Sequence, residues 1–245
     1  MNMYIKIKIK PKNKSYIVLP IHYNHIIQGF IYNNIDENLA EFLHEKGYLN
    51  NKRSFKMFTF SNVKGKYKIN KKKKEIVFED QIELLVSSPI EKFCRTFASN
   101  MLIKEEHILN NQQIEIVSIE VKEHKRSFEK LRLLSPIVMY STIKKENGKK
   151  YTYYYRPGDA EYNELITNNL RKKYKSYYNK EPDNGLVKIM PINNLRFNLV
   201  KYKGFIIKGY TGLIKISGPK DLVKLGMETG LGSKNSQGFG FVKAL

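Results

Sequence analysis

Two groups of residues in this sequence have the types and spacing to do chemistry. The first is the run Gly230-Leu231-Gly232-Ser233-Lys234-Asn235-Ser236-Gln237-Gly238-Phe239-Gly240-Phe241, which reads Gly-apolar-Gly, then five mostly polar residues, then Gly-apolar-Gly-apolar. Glycines so placed let the backbone turn sharply and approach another backbone with no Cβ in the way. Between them, Ser233, Lys234, Asn235, Ser236 and Gln237 offer donors suited to phosphate, ribose or base edges. A glycine-rich turn with no ligand is the plainer alternative. The run is not a dinucleotide fingerprint, which needs a strand before it, a helix after it and an acidic residue further on.

The second group is histidine and tyrosine near residues 25–44. His44 follows Leu43 on a predicted helix whose apolar arc centres on Leu39 and Leu43, so at about 100° per residue it points away from the core and is open to a ligand. On the preceding predicted helix, His25, Gln28 and Tyr32 fall at i, i+3 and i+7, a stripe opposite the apolar arc. Histidine moves protons near neutral pH, tyrosine holds or relays one, and lysine stabilises developing negative charge. A helix-end histidine serving only the helix dipole, and a rim aromatic, are the structural alternatives for His44 and Tyr32. His22, His107 and His124 read as ordinary surface histidines.

Composition bounds the partner. The chain has 245 residues, 44 Lys+Arg against 23 Asp+Glu, and a net charge of +21. Even discounted for the lysine and asparagine enrichment that a genome of biased base composition would produce, the excess is that of a chain meeting a polyanion, and nucleic acid leads. No apolar run approaches the roughly 18 residues of a membrane span, and the opening MNMYIKIKIKPK alternates like a strand rather than a signal peptide. The single cysteine, Cys94, excludes an intrachain disulfide, no Cys/His spacing suits zinc, and a cytoplasmic location is expected. No acidic cluster has a metal-binding look, so proton transfer without metal is favoured over a two-metal site, and no cofactor is expected.

The elements that must position these residues follow from periodicity. Residues 3–9 alternate as a strand; 22–33 and 37–46 read as helices, the second capped by Asp36 and ended by Gly47. Residues 55–61 alternate as a strand, a lysine-rich hairpin passes through residues 71–74, and another strand starts at Glu75. Ser88-Pro89-Ile90-Glu91 has the pattern of a capping box opening a helix with Phe93, Phe97 and Met101 inward, and 113–121 is a strand. The second half repeats this order: a strand over 131–142, a helix over 160–178 after Arg156-Pro157-Gly158-Asp159, strands over 195–200, 204–210 and 213–217, a helix opened by Pro219, and a last strand over 239–245. The expected fold is α+β, with two tandem ferredoxin-like (RRM-like) domains, residues 1–124 and 125–245, joined near residues 124–130. Tyr151, Tyr153, Tyr154 and Tyr155 beside Arg156 mix aromatics with a cation, as base-stacking surfaces do, although strand packing explains two of them equally well.

With these residues in view, the sequence resembles the CRISPR-associated endoribonucleases of the Cas-six family, in the RAMP superfamily. The glycine run matches their glycine-rich loop glycine for glycine. Leu19-Pro20, Ile31-Tyr32, Leu43-His44-Glu45-Lys46-Gly47, Phe58-Thr59-Phe60-Ser61 and Ser135-Pro136-Ile137-Val138 match in order, so the resemblance spans nearly the whole chain. It implies metal-independent cleavage of CRISPR repeat RNA by its own 2′-hydroxyl, leaving a 2′,3′-cyclic phosphate and a 5′-hydroxyl, to give guide RNAs. It implies Tyr32, His44 and Lys52 as the catalytic set, with Lys46 and His25 as alternatives, and Gly230, Gly232, Ser233, Lys234, Asn235, Ser236, Gln237, Gly238 and Gly240 as RNA-binding. The partners implied are the precursor transcript and CRISPR effector subunits, with the chain a monomer or homodimer. A non-catalytic RAMP-type subunit that only holds guide RNA is the second reading, and a basic ribosome-associated protein a remote third.

Overall fold

A computed structural model describes residues 3–124, 129–144 and 148–245. In the first half, β1 (Met3–Pro11) buries Ile5, Ile7 and Ile9 and turns Lys6, Lys8 and Lys10 to the opposite face. β2 (Tyr16–Pro20) follows, then α1 (Asn24–Tyr32), α2 (Glu37–Glu45), β3 (Tyr48–Asn50), β4 (Arg53–Phe55), β5 (Thr59–Phe60), β6 (Lys64–Asn70), β7 (Glu75–Ser87), α3 (Glu91–Ile103), β8 (His107–Leu109) and β9 (Gln112–Glu123). β7 is the organiser: β1 and β2 run along one edge of it, and β5 and β6 along the other, all antiparallel. The central order is β6-β7-β1-β9. Helices α1 and α3 close one face, where Ile27, Phe30 and Ile31 meet Phe93, Phe97 and Met101 in a core with Ile5 and Ile7.

The second half contains β10 (Lys130–Leu133), β11 (Met139–Lys144), β12 (Lys150–Tyr155), α4 (Tyr162–Tyr178), β13 (Lys188–Pro191), β14 (Arg196–Tyr202), β15 (Phe205–Thr211), β16 (Leu213–Ser217), α5 (Lys220–Thr229), a 3-10 turn (Asn235–Gln237) and β17 (Val242–Ala244). Its sheet order, β13-β16-β10-β17, repeats that of the first half, with β11–β12 and β14–β15 as added hairpins. The chain is thus α+β with two tandem ferredoxin-like halves. Of the expected joint, residues 125–128 lie outside the described residues. The halves meet over Tyr4, Leu85, Leu134 and Phe241. No helix among the described residues is long and apolar enough to cross a membrane.

Several elements differ from their periodicity. The strand expected over 55–61 is broken because Met57 adopts φ +51°, where Ser88 Oγ donates to its carbonyl at 2.7 Å. That use of Ser88 also displaces the capping box: the residue capping α3 is Ile90, and Ser88 Oγ accepts instead from the Ile90 amide at 3.1 Å. The expected strand over 131–142 divides at Ser135-Pro136, where the chain passes from β10 to the β11 hairpin. The expected last strand keeps only Val242–Ala244, because Phe239 and Phe241 belong to buried loop packing. His107 and His124 are not surface residues but 6 % and 5 % exposed. His107 Nε2 lies 3.2 Å from Met101 O, whereas both ring nitrogens of His124 lack a hydrogen-bond partner among the described residues. His22 is half-buried, its Nδ1 accepting from the Lys201 amide at 3.3 Å. Asp36 caps α2 as expected, accepting from Leu39 N at 2.9 Å, and Gly47 follows with φ +62°.

Candidate RNA-cleavage site

The two helices that carry the candidate chemistry are short, and each is fixed by its apolar face. α2 buries Leu43 completely, which leaves the next residue, His44, with a side chain 71 % exposed. Tyr32 ends α1 and packs its ring edge-on against Phe58 of the first core, centroids 5.4 Å apart. Tyr32 and His44 meet in the same way, with ring centroids 6.0 Å apart and planes at 82°. They line a cleft of about 720 Å³ with His25, Gln28, Lys104 and Lys203.

The electrostatics divide the roles. Burial, with Tyr202 nearby, raises the Tyr32 phenol well above its ordinary value, so it stays protonated at neutral pH and offers a donor rather than a base. His44 Nδ1 lies 2.8 Å from Glu45 Oε1. A proton on Nδ1 leaves the Nε2 lone pair free to take another, the usual second-residue control of a tautomer. The His44 carbonyl accepts from Lys56 Nζ at 3.0 Å, which ties α2 to the segment after β4.

Lysines are distributed differently from the expectation. Lys46 and Lys52 are exposed and outside the lining of this cleft, Lys52 in the tight turn between paired Asn50 and Arg53. The lysines that do line it are Lys104, whose ammonium donates to Asn33 O at 2.7 Å, and Lys203 from the second half. Spacing alone gave no sign of Lys203, because the docking of a hairpin from residues 196–211 onto α1 is a long-range event. His25, the alternative histidine, is exposed on the same cleft wall. Among the described residues, no three His, Cys, Asp or Glu side chains are grouped to hold a metal.

The glycine run is a knot tied by the protein's own groups. Its two Gly-apolar-Gly arms pair, Leu231 N donating to Gly240 O at 2.9 Å, and Gly240 N donating to Pro136 O at 2.9 Å. A Cβ on Gly240 would stand 2.0 Å from Leu231 O, and one on Gly232 would stand 2.4 Å from Val138 O. The close backbone approach inferred from the glycines is therefore met within the chain. Asn235 ties the arms from inside: Nδ2 donates to Leu231 O and Phe239 O, and Oδ1 accepts from Lys173 Nζ at 2.7 Å. Asn24 of α1 and Thr59 of β5 hold the loop to the first half through Gln237 O at 2.8 Å and Phe239 O at 3.0 Å. Gly230, Gly232, Asn235, Gly238 and Gly240 are buried, while Ser233, Lys234, Ser236 and Gln237 are partly exposed.

Those partly exposed residues border a second cleft, of about 460 Å³, with Arg53, Lys56, Tyr140 and Lys173 on its walls. Lys234 stands 5.2 Å over the Tyr140 ring, and burial lowers its pKa. Lys173 was not anticipated. It lies on the inward face of α4, 2 % exposed, in line with Ile166 and Leu170, and a lysine on an apolar stripe is a signal the sequence did contain. Of the tyrosines after Lys150, Tyr151 and Tyr153 are exposed, Tyr154 bonds Ile206 O at 3.0 Å, and Tyr155 packs on the second core.

A scan against family models matches residues 18–122 to the N-terminal part of CRISPR-associated protein Cas6 and residues 119–244 to the Cas6 C-terminal part. The chain belongs to the Cas6 family. Two relatives from Methanocaldococcus jannaschii are described as CRISPR-associated endoribonucleases Cas6 1 and Cas6 2. They are 28 % and 31 % identical, covering 99 % of this chain and 93 % and 100 % of their own lengths. A solved structure described as CRISPR associated protein Cas6 superposes with a TM-score of 0.80 at 28 % identity, over 99 % of each chain. Both halves of this chain are thus those of a Cas6 protein, in the same order.

Proposed function

We propose that this Cas6 chain is an endoribonuclease that cuts CRISPR repeat RNA within the precursor transcript, without metal, releasing guide RNAs. The observation that carries the reading is the meeting of Tyr32 and His44 at 6.0 Å on the wall of a cleft that lysines also line. In the reaction, the 2′-hydroxyl gives up its proton and forms a bond to the adjacent phosphorus. The bond from phosphorus to the 5′-oxygen breaks, and that oxygen takes a proton, leaving a 2′,3′-cyclic phosphate and a 5′-hydroxyl. His44 serves a proton transfer, Tyr32 donates a hydrogen bond to the reacting phosphate, and a lysine neutralises the phosphorane. The family resemblance assigns that last role to Lys52.

The partly exposed Ser233, Lys234, Ser236 and Gln237 contact the RNA, and the buried glycines with Asn235 give the loop its shape. We assign residues 1–124 to the first ferredoxin-like domain and 125–245 to the second, place the protein in the cytoplasm, and expect CRISPR effector subunits as partners of a monomer or homodimer. One observation favours a second reading, that of an RNA holder without cleavage: Lys52 stands outside the cleft. Incubating the protein with its genome's own repeat RNA in excess chelator separates the two. A single cut ending in a cyclic phosphate, abolished by a 2′-deoxy substitution at the scissile nucleotide, supports cleavage; a strict need for magnesium rejects this mechanism, and tight binding without a cut supports the holder.

A further inference from the structure

We propose that the cleft beside the glycine run is a pocket for one unpaired adenine of the RNA, read by Asn169 of α4. The assignment rests on the reading of this chain as one that binds repeat RNA.

The observation that carries it is a pair of acceptors with nothing to accept. Asn169 is 3 % exposed, and its Oδ1 is enclosed with no hydrogen-bond partner among the described residues. Gln237 Oε1 is in the same condition, and both residues line the cleft of about 460 Å³. An enclosed carbonyl oxygen without a donor is destabilising, so two of them on one cleft wall point to a ligand that brings N–H groups.

The helix explains how the amide comes to stand there. Asn169 lies one turn before Lys173, and the two polar residues interrupt a buried face otherwise made by Tyr162, Ile166 and Leu170. Lys173 is spent on the loop, donating to Gly230 O and Asn235 Oδ1 at 2.7 Å each, and so fixes the wall. Asn169 has no such bond to hold.

The rest of the lining suits a nucleotide. Tyr140 supplies an aromatic wall, with Lys234 Nζ 5.2 Å from its ring centroid, and Arg53 and Lys56 add cations for adjoining phosphates. An aromatic face for the base and an amide for its edge is how single-stranded RNA is read. An amide sets an acceptor beside a donor, and adenine answers with an amine beside a bare ring nitrogen. Uracil has no amine to give.

The pocket shares a wall with the Tyr32–His44 cleft. Lys56 lines the pocket and donates to His44 O at 3.0 Å, and Phe58 lines it and meets the Tyr32 ring at 5.4 Å. An adenine held by Asn169 therefore sets the register in which the RNA crosses the Tyr32–His44 pair.

The test uses the full chain and its repeat RNA, made non-cleavable by a 2′-deoxy nucleotide at the cut. Each unpaired adenosine is replaced in turn by purine riboside, which lacks only the amine. One position should raise the parent's dissociation constant about 10-fold, and the others less than about 2-fold. Asn169→Leu should bind the unmodified RNA about 10-fold more weakly and lose its sensitivity at that position, so that the two changes together weaken binding no more than either alone. An asparagine with a structural role only would weaken every RNA alike and leave the sensitivity in place, which overturns the proposal. The panel on the parent protein decides even where the variant fails to fold: no adenosine whose amine matters, or a sensitive cytidine instead, overturns it. Single-turnover cutting of the all-ribose RNA keeps the two readings apart. A parent that cuts with no sensitive adenosine sinks the pocket alone, and one that shows the sensitive adenosine and never cuts sinks the cleavage reading alone.

Discussion

The Lys173 ammonium donates to Asn235 Oδ1 and to Gly230 O, each at 2.7 Å, inside the joint between α4 and the glycine loop. No carboxylate lies within ion-pair distance of it among the described residues, and burial brings its pKa down to about 7. One buried cation thus holds both arms of the loop, because Asn235 spans from Leu231 to Phe239. Lys173→Met leaves the two oxygens unpaired, which should cost about 1–3 kcal/mol and raise the RNA dissociation constant. Between pH 7 and the ordinary lysine value of 10.5 the unfolded chain keeps a proton that the folded chain has released, so parental stability gains from this group as pH rises across that window. Thermal unfolding of parent and variant at pH 7 and pH 9.5 checks this: the stability gap between them should grow in the parent's favour, and a constant gap would show that Lys173 does not titrate there.

The loop's two kinds of residue should separate in their effects. Gly240→Ala puts a Cβ 2.0 Å from Leu231 O at a φ of +75°, so it should destabilise by more than about 3 kcal/mol and affect binding only through unfolding. Lys234→Ala should leave the melting temperature nearly unchanged, weaken RNA binding and reduce the salt slope by about one counterion. Binding isotherms across salt concentrations, beside thermal unfolding, read both; unchanged affinity in folded Lys234→Ala would make the run a structural joint alone.

Residues whose partners lie nearby in sequence were legible, and those placed by distant contacts were not. Alternation of Ile and Lys announced β1, the spacing of Phe93, Phe97 and Met101 announced α3, and the glycine pairs announced a close backbone approach. The exposure of His44 was legible from the face of its short helix, whereas its meeting with Tyr32 was implied only by the family resemblance. The break at Met57 depends on Ser88, 31 positions away, and the Lys201–His22 bond that sets the hairpin tip spans 179. No local pattern encodes either. Lys52 was carried by resemblance in order and approximate spacing, and it is not among the residues that line the Tyr32–His44 cleft.

His44→Ala should lower the cleavage rate about 10²-fold or more with little change in RNA affinity, the loss expected when a general acid or base is removed. Tyr32→Phe should give a smaller loss, since its phenol stays protonated and only a hydrogen bond is removed. Single-turnover rates at saturating protein are the measurement. If His25→Ala abolishes cleavage and His44→Ala does not, the histidine on α1 is the working one, as its place on the same cleft allows.

His124 gives the fold an acid limit of its own. Its ring lies 4.9 Å from that of Tyr4 at the junction of the halves, 5 % exposed, with neither nitrogen bonded among the described residues. Burial, helped by the charge of Lys243, lowers its pKa to about 4 from an ordinary 6.5. The folded form therefore keeps it neutral, and the stability this represents is present above pH 6.5 and lost as the unfolded chain takes up its proton down to about pH 4. At about 1.4 kcal/mol per unit, the loss is on the order of 3 kcal/mol. A neutral ring of similar shape removes the proton uptake and the two orphaned nitrogens together, so His124→Phe should keep its melting temperature between pH 6.5 and 4.5 better than the parent does. Because Tyr4 and Phe241 also touch there, at 6.2 Å between rings, the variant should retain the contact between the halves. Parallel acid titrations followed by thermal unfolding decide it: equal losses in the two proteins would place the acid-sensitive group elsewhere.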